Sequence, residues 1–111
     1  MMNLSSIVKE LNLKVECGKD QLTREVTGGY VGDLLSDVMA NSKEGNLWIT
    51  RQTHQNIVAV ASLKELAGII LVQGKEPEED TLGKASKEGI PILVTNLYTF
   101  EVAGKLYKLL S

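Results

Sequence analysis

The sequence has almost none of the side chains that hold transition metals or form disulfides. It contains one cysteine, Cys17, and one histidine, His54, among 111 residues. A single cysteine excludes an internal disulfide, which suits a reducing compartment, so we predict a cytoplasmic protein. Neither residue belongs to a Cys-x-x-Cys or His-x-x-x-His pattern, so we expect no metal site and no cofactor.

An excess of charge of one sign and long apolar runs are also missing. Twelve Lys and Arg face fourteen Asp and Glu, which gives a formal net charge of −2. This balance provides no general attraction to nucleic acid or to an anionic membrane. No apolar run approaches the about 20 residues of a membrane-spanning helix, and the first residues lack the basic and apolar regions of a signal peptide. We therefore expect neither a nucleic-acid partner nor a membrane segment.

The motifs of common catalytic sites are absent. There is no Gly-x-Ser-x-Gly turn, and His54 is the only histidine that could act as a base, with no positioned partner evident beside it. The stretch GKEPEED, which starts at Gly74, lacks the second glycine and the Gly-Lys-Ser/Thr ending of a phosphate loop. We predict that the chain is not an enzyme.

Strand and helix signals alternate from about residue 46 onward. The strand candidates are LWIT (47–50), GIILVQG (68–74) and IPILVT (90–95), and the helix candidates are 53–66, 76–89 and a segment capped by Thr99. Such alternation predicts parallel strands joined by crossover helices. This alternation, the length of 111 residues and the 43% of hydrophobic residues together predict one α/β domain over residues 1–111. The fold class we expect is a three-layer sandwich with a mostly parallel central sheet and helices on both faces.

The first 45 residues contain two further helix and two further strand signals. A helix is predicted for LSSIVKELNL, and another is predicted after Asp33, which is a good N-cap residue. Between them, LKVEC (13–17) and EVTGGYV (25–31) are predicted to form a distorted, hairpin-like pair of strands. In the last helix, one apolar stripe consists of Phe100, Ala103, Leu106, Tyr107 and Leu110, and Val102 and Leu109 widen it beyond what one sheet face needs. This extra width predicts a homodimer contact. The alternative is that it covers the first helix of the same chain.

Polar residues follow the predicted parallel strands where each one ends. Because ligands of open α/β sheets gather beyond the carboxyl ends of the strands, and helix starts there attract anions, we predict a ligand site at this edge. Its candidate residues are Thr50, Gln52, Thr53, His54 and Asn96. The alternative is that these residues are ordinary solvated loop and capping groups.

The adjacent glycines Gly28 and Gly29 interrupt a strand pattern. A glycine pair can adopt positive φ and bring backbone N–H groups close to a ligand or to a second subunit. With Thr27, these residues are predicted to bind a ligand. The alternative is a purely structural bulge.

The order of these motifs resembles the DRTGG domain family over roughly residues 20–110. The resemblance rests on REVTGGYVGDLLSDVM, LWIT, THQNIVAVASLKELAGIILVQG, the EPEEDTL helix start and GIPILVT. Arg24 matches the arginine of the family's name and residues 27–29 match its TGG. Thr23 stands where the family has aspartate, so no role of that carboxylate carries over.

The resemblance implies a regulatory role. Domains of this family occur alone, in phosphotransacetylases, and in inorganic pyrophosphatases beside CBS domains, and they are similar to the N-terminal domain of HPr kinase/phosphorylase. In each case another domain performs the chemistry. The implied function is a non-catalytic module that senses a small ligand, such as a nucleotide or phosphometabolite, and dimerises. The alternative is a module that docks on a metabolic enzyme or kinase and binds no small ligand.

Overall fold

The computed structural model describes residues 2–111. It is a mixed α/β fold with five helices and seven strands in this part of the chain. The helices are α1 (Leu4–Leu11), α2 (Leu35–Asn41), α3 (Asn56–Leu63), α4 (Glu79–Glu88) and α5 (Thr99–Leu110). The strands are β1 (Met2–Asn3), β2 (Lys14–Cys17), β3 (Glu25–Val26), β4 (Gly28–Val31), β5 (Asn46–Thr50), β6 (Gly68–Leu71) and β7 (Ile92–Val94).

Five strands form one central sheet in the order β2-β7-β6-β5-β4. The four strands β4 to β7 run parallel, and β2 is antiparallel to β7. The short strands β1 and β3 pair in a separate two-stranded ribbon. The sequence therefore predicted the mostly parallel sheet correctly for the second half of the chain.

Local sequence signals explain several helix ends. The Asn3 side chain accepts a hydrogen bond of 2.9 Å from the Ser6 N–H and so caps α1. Helix α4 has acidic residues in its first turn and ends at Gly89, whose φ of +71° is the left-handed conformation that glycine adopts without strain. Both helices lie where the sequence predicted them.

The buried side chains form two clusters. One contains residues of α1 and α5 with side chains on one face of the central strands, such as Leu47 and Ile49. The other combines α2, α3 and α4 with side chains on the opposite face, such as Trp48. Consecutive residues of β5 therefore point to opposite clusters, as the two-residue period of a strand requires. Trp48 is 0% exposed, and its ring N–H donates a 2.8 Å hydrogen bond to the Gly32 carbonyl. Trp48 is therefore a core residue.

The predicted hairpin of the first 45 residues is wrong. Strand β2 lies at one edge of the sheet beside β7, and β4 lies at the opposite edge beside β5. The expected strand 25–31 also splits at Thr27, so β3 pairs with β1 while β4 joins the main sheet. The alternation of apolar residues identifies a strand but carries no information about which distant strand it will pair with.

Two predicted caps, Asp33 and Thr99, and the predicted start of the helix at Thr53 are also wrong. Helix α2 begins at Leu35, since the Asp33 carboxylate is bonded to Thr50 and Arg51 instead. Helix α3 begins only at Asn56, and the Thr53 carbonyl accepts hydrogen bonds from α4. Thr99 is the first residue of α5 and Tyr98 is its N-cap.

The apolar stripe predicted for the last helix is also only partly buried. Val102 and Leu106 form its core-facing side, whereas Phe100 is 89% and Tyr107 78% exposed. The two aromatic residues lie on the outer face of the helix, so they are not part of the core. Within residues 2–111, none of the helices has the length and apolar character needed to cross a membrane.

Candidate functional site

The structure places the predicted site residues at two opposite ends of the parallel strands. Gly28 pairs with Asn46 at the amino end of β5, whereas Thr50 is the last residue of that strand. Four residues of extended chain separate the two ends, which is about 13 Å. Thr27, Gly28 and Gly29 therefore form one group, and the remaining five predicted residues belong to the other end.

The Thr27 side chain is anchored to the turn before β5. Its hydroxyl donates to the Glu44 carbonyl at 2.8 Å and accepts from the Asn46 side-chain amide at 3.3 Å. Gly45 makes this possible, because its φ is +83° and a Cβ there would lie 2.7 Å from Thr27 Cγ2. Thr27 thus fixes the position where the chain leaves β3 and enters β4.

Neither Gly28 nor Gly29 adopts a left-handed conformation, contrary to our expectation. The pairing of β4 with β5 also runs without a shift from Gly28 to Val31, so the alternative of a structural bulge is wrong as well. Position 29 favours glycine for another reason: an ideal Cβ there would lie 2.9 Å from Leu106 Cδ2. The missing side chain lets α5 approach the edge strand closely.

A cavity of about 480 Å³ opens beside these glycines, between β4 and α5. We call it the glycine cavity. Thr27, Gly28 and Gly29 form one wall, and Ile49 lies beside them. The helix contributes Ala103, Leu106, Tyr107 and Leu110. The volume lies within the range of roughly 300–1,000 Å³ that small-molecule sites occupy. The walls are largely apolar side chains together with the backbone of the edge strand.

At the carboxyl ends of the strands, Asp33 organises the polar groups. Its Oδ1 accepts from the Thr50 hydroxyl and from the Arg51 N–H, each at 2.8 Å, and its Oδ2 accepts from the Arg51 guanidinium. The Gln52 side-chain amide donates to the Asp33 carbonyl at 3.0 Å. Thr50 and Gln52, predicted as ligand residues, are thus engaged with the β4–α2 loop.

These contacts set the charge state of Asp33. Partial burial works against the charged form, but the hydrogen bonds from the Arg51 N–H, the Thr50 hydroxyl and the Arg51 guanidinium outweigh it. The pKa of Asp33 is therefore lower than its ordinary value. At neutral pH the loop carries a fixed negative charge, which Arg51 neutralises.

Thr53 and His54 lie in the turn before α3. The Thr53 carbonyl accepts from the Thr81 hydroxyl at 2.7 Å and from the Glu78 N–H at 3.2 Å, which ties this turn to α4. His54 is exposed, and its Nδ1 accepts a 3.2 Å hydrogen bond from the Asn56 N–H. His54 thus satisfies a free N–H at the start of the helix.

Asn96 belongs to a different depression from the other predicted residues. It lines a polar cavity of about 670 Å³ that also contains Lys14, Glu76 and Lys105. Lys14 and Glu16 form an ion pair of 2.9 Å on the adjoining edge strand. The five carboxyl-end residues therefore do not share one pocket wall.

Arg24, the arginine of the resemblance, holds backbone carbonyls of the same chain. Its Nη2 donates to the Gly89 carbonyl at 2.8 Å and its Nη1 to the Leu66 carbonyl at 3.5 Å, while the Gln21 amide oxygen accepts from Nε and Nη2. Arg24 therefore ties together the ends of two connections that lie far apart in sequence. It is a structural residue in this arrangement.

Sequence reasoning missed Asp33 and the helical wall of the cavity. Asp33 was interpreted as a cap, since nothing local distinguishes a capping aspartate from one that binds a distant strand end. The cavity wall combines residues from β4, β5 and α5. In the sequence, only the glycines at positions 28 and 29 indicated that another segment could approach this strand closely. In the part of the chain that the structure describes, no three His, Cys, Asp or Glu side chains are grouped so that they could hold a metal ion.

Comparison with known proteins identifies relatives of this fold. The family model for the DRTGG domain matches residues 6–109. A similar solved structure is that of the CBS and DRTGG domains of the regulatory region of a Clostridium perfringens pyrophosphatase, complexed with the activator diadenosine tetraphosphate. The TM-score is 0.73 at 18% sequence identity, and the match covers 94% of this chain and 45% of that one. This chain thus spans less than half the length of that structure, and the likeness is one of fold. No curated protein sequence matches the chain.

Proposed function

The chain belongs to the DRTGG domain family, and we propose that it is a non-catalytic regulatory domain that senses a small ligand, a nucleotide or a phosphorylated metabolite. The observation that carries this proposal is the cavity of about 480 Å³ beside Thr27, Gly28 and Gly29. The family motif thus lines a space that is large enough for a nucleoside-sized group.

The composition of the cavity favours an aromatic base as the group that enters it. Ile49, Ala103 and Leu106 provide apolar walls, and Tyr107 adds a ring at the rim. Gly28 and Gly29 present bare backbone on the opposite side. Because β4 is an edge strand, every second residue directs its N–H and C=O away from β5, where the edge of a base can form hydrogen bonds with them. An apolar slot with a few backbone polar groups is the usual design of small-molecule sites.

The similar pyrophosphatase regulatory region supports the choice of ligand class. That structure contains an activator with two adenosine groups joined by phosphates. We extend only the chemical class, an adenine nucleotide, to this chain. The proposal also includes a homodimer that works in the cytoplasm, as the sequence predicts.

The three-layer sandwich predicted from the sequence is part of this proposal. It places the sheet between a layer of α1 with α5 and a layer of α2, α3 and α4. On this arrangement the glycine cavity belongs to the first layer. Thr50, Gln52, Thr53, His54 and Asn96 stay predicted residues of a second, polar site at the carboxyl ends of the strands.

Thermal-shift measurements test the proposal. The purified chain is titrated with AMP, ADP, ATP and diadenosine tetraphosphate up to millimolar concentrations. A ligand at about 100 times its Kd should stabilise the folded state by about 2.7 kcal/mol. The variant Ala103→Leu fills the cavity from the helix side without changing the glycines, and we expect it to abolish the response.

Two control variants locate the site. His54→Ala alters the polar edge, and Gly83→Ala alters the exposed side of α4, outside the cavity beside Gly28 and Gly29. Both variants should keep the wild-type response. A response that His54→Ala removes and Ala103→Leu retains would move the site to the carboxyl ends of the strands. No stabilisation by any of the four nucleotides would contradict nucleotide sensing.

A further inference from the structure

Helix α5 carries an exposed apolar stripe. Phe100 is 89% and Tyr107 78% exposed, and the two residues are seven positions apart, which places them on the same side of the helix about 10.5 Å from one another. Ala103 and Gly104 lie between them. Exposed aromatic residues in one row are uncommon on a surface that contacts only water.

The stripe is continuous with the glycine cavity and the edge of the sheet. Tyr107, Ala103 and Leu110 line the cavity, and Val31 on the edge strand β4 lies on its other side with 48% of its surface exposed. An outer helix face and an unpaired sheet edge therefore form one apolar surface. We call it the α5 surface.

We propose that the α5 surface binds the α5 surface of a second copy of this chain, with the two helices antiparallel about a two-fold axis that passes between Ala103 and Gly104. This inference rests on the homodimer of the proposed function and specifies its interface. The axis lies midway between the two aromatic residues. Phe100 of one copy therefore meets Tyr107 of the other, and the second contact follows by symmetry.

Gly104 supports a close partner helix. In the described part of the chain, an ideal Cβ on Gly104 would meet no heavy atom within 4 Å. Its own subunit therefore does not require glycine here, although glycine weakens the middle of a helix. A second helix that crosses at Ala103 and Gly104 does require small residues, because they let the two backbones approach.

The charges beside the stripe are complementary in this arrangement. By helical periodicity, Glu101 and Lys108 flank the stripe on the same side, one near each end. Antiparallel packing about the proposed axis brings Glu101 of one copy beside Lys108 of the other, and this pairing occurs twice. A parallel arrangement about a two-fold axis would place these residues of the two copies on opposite sides of the contact, where they form no such pair.

The area is sufficient for a stable contact. Two aromatic rings per copy, largely exposed, contribute on the order of 600–800 Å² when the four are covered. Leu110, Ala103 and Val31 extend the covered surface on each copy. Complete coverage of these side chains would bring the buried area to about 1,000 Å², the size that a biological interface needs.

Sedimentation equilibrium at micromolar concentration tests the inference. We expect the wild-type chain to sediment with twice the monomer mass of 12.1 kDa. Phe100→Lys should sediment as a monomer with an unchanged circular dichroism spectrum. Leu63→Lys is the matched control, because Leu63 is a 71% exposed apolar residue on α3, and it should remain dimeric.

Charge reversal tests the orientation of the two helices. Glu101→Lys and Lys108→Glu should each weaken the dimer by about tenfold or more, and the double variant should restore it. Glu101 and Lys108 are seven residues apart on one helix, too far for a direct pair within a subunit, so restoration reports on the contact between copies. Two weakening changes that simply add would contradict the antiparallel arrangement.

The outcomes separate this inference from ligand sensing. A wild-type chain that is monomeric with and without nucleotide overturns the interface, and a thermal shift with nucleotide would still support sensing. A dimer that Phe100→Lys leaves intact overturns the α5 surface as the interface.

Discussion

Arg51 contacts Asp33 at two points: its backbone N–H donates to Oδ1 at 2.8 Å, and its guanidinium lies 2.8 Å from Oδ2. This pair joins the first residue after β5 to the loop after β4. It therefore fixes the edge strand to its neighbour at the carboxyl end, where regular sheet pairing has ended.

Asp33→Asn should destabilise the domain by about 1–2 kcal/mol at pH 7. We expect no larger loss because the Asp33 and Arg51 side chains are 34% and 55% exposed, and solvent screens their attraction.

This loss should depend on pH. Because the pKa of Asp33 is lower in the folded state, the carboxylate stabilises the fold fully at pH values above its unfolded pKa of about 3.9. The stabilisation is lost as the pH falls through the folded-state pKa. Urea unfolding at pH 7 and pH 3 should therefore show a difference between variant and wild type that shrinks in acid. The exposed Asp20→Asn serves as control, and a difference that is as large at pH 3 as at pH 7 would contradict the ionic explanation.

Gly29→Ala should destabilise the domain by about 1–3 kcal/mol, because the new methyl group overlaps Leu106 Cδ2. The same change in a Leu106→Ala background should cost less, because the overlapping atom is gone. Urea unfolding of the wild type, both single variants and the double variant measures this coupling. Strictly additive effects would show that the glycine is needed for another reason.

Arg24→Lys should cost about 1–2 kcal/mol in unfolding free energy. A lysine ammonium cannot reach the Gly89 and Leu66 carbonyls and the Gln21 amide oxygen together. Arg51→Lys, at the only other arginine, retains an exposed ion pair and should cost less. Ligand-induced thermal shifts of Arg24→Lys should match those of the wild type; a lost response in a folded variant would assign Arg24 to binding.

Two glycines at α4 should respond to alanine with opposite signs. An ideal Cβ on Gly83 meets no described heavy atom within 4 Å, so Gly83→Ala should raise the unfolding free energy by about 0.5–1 kcal/mol. Gly89 ends the same helix at φ +71°, so Gly89→Ala should lower it by about 1 kcal/mol or more. Equal effects of the two changes in urea unfolding would contradict the role of backbone conformation.

Local patterns were sufficient for the elements that depend on neighbouring residues. The continuous apolar run at β6 and the acid-to-glycine pattern of α4 predicted both elements, because burial on two faces and helix capping leave short-range signatures. The parallel order of β5, β6 and β7 followed from alternation of strands with helices.

Contacts between segments that are distant in sequence could not be predicted from local patterns. The pattern of β2 does not indicate β7 as its partner. The glycines with positive φ are Gly18, Gly45, Gly74 and Gly89, whereas Gly29 of the adjacent pair lacks positive φ and lies against Leu106. The glycine cavity combines three segments whose meeting depends on the whole fold. The sequence could identify Gly28 and Gly29 as one wall of this cavity, but it could not identify the residues of α5 that form the opposite wall.

The pairing of Val15 with Leu93 determines when the sheet can be completed during synthesis. Strand β2 is synthesised almost eighty residues before β7, its partner in the central sheet. During that interval its backbone N–H and C=O groups and the apolar side of α1 have no sheet to cover them, while β5, β6 and their helices can already associate. Until β7 has been synthesised, the nascent chain therefore exposes β2 and the apolar side of α1, and in this period a chaperone would bind it or a premature stop would leave these segments unfolded.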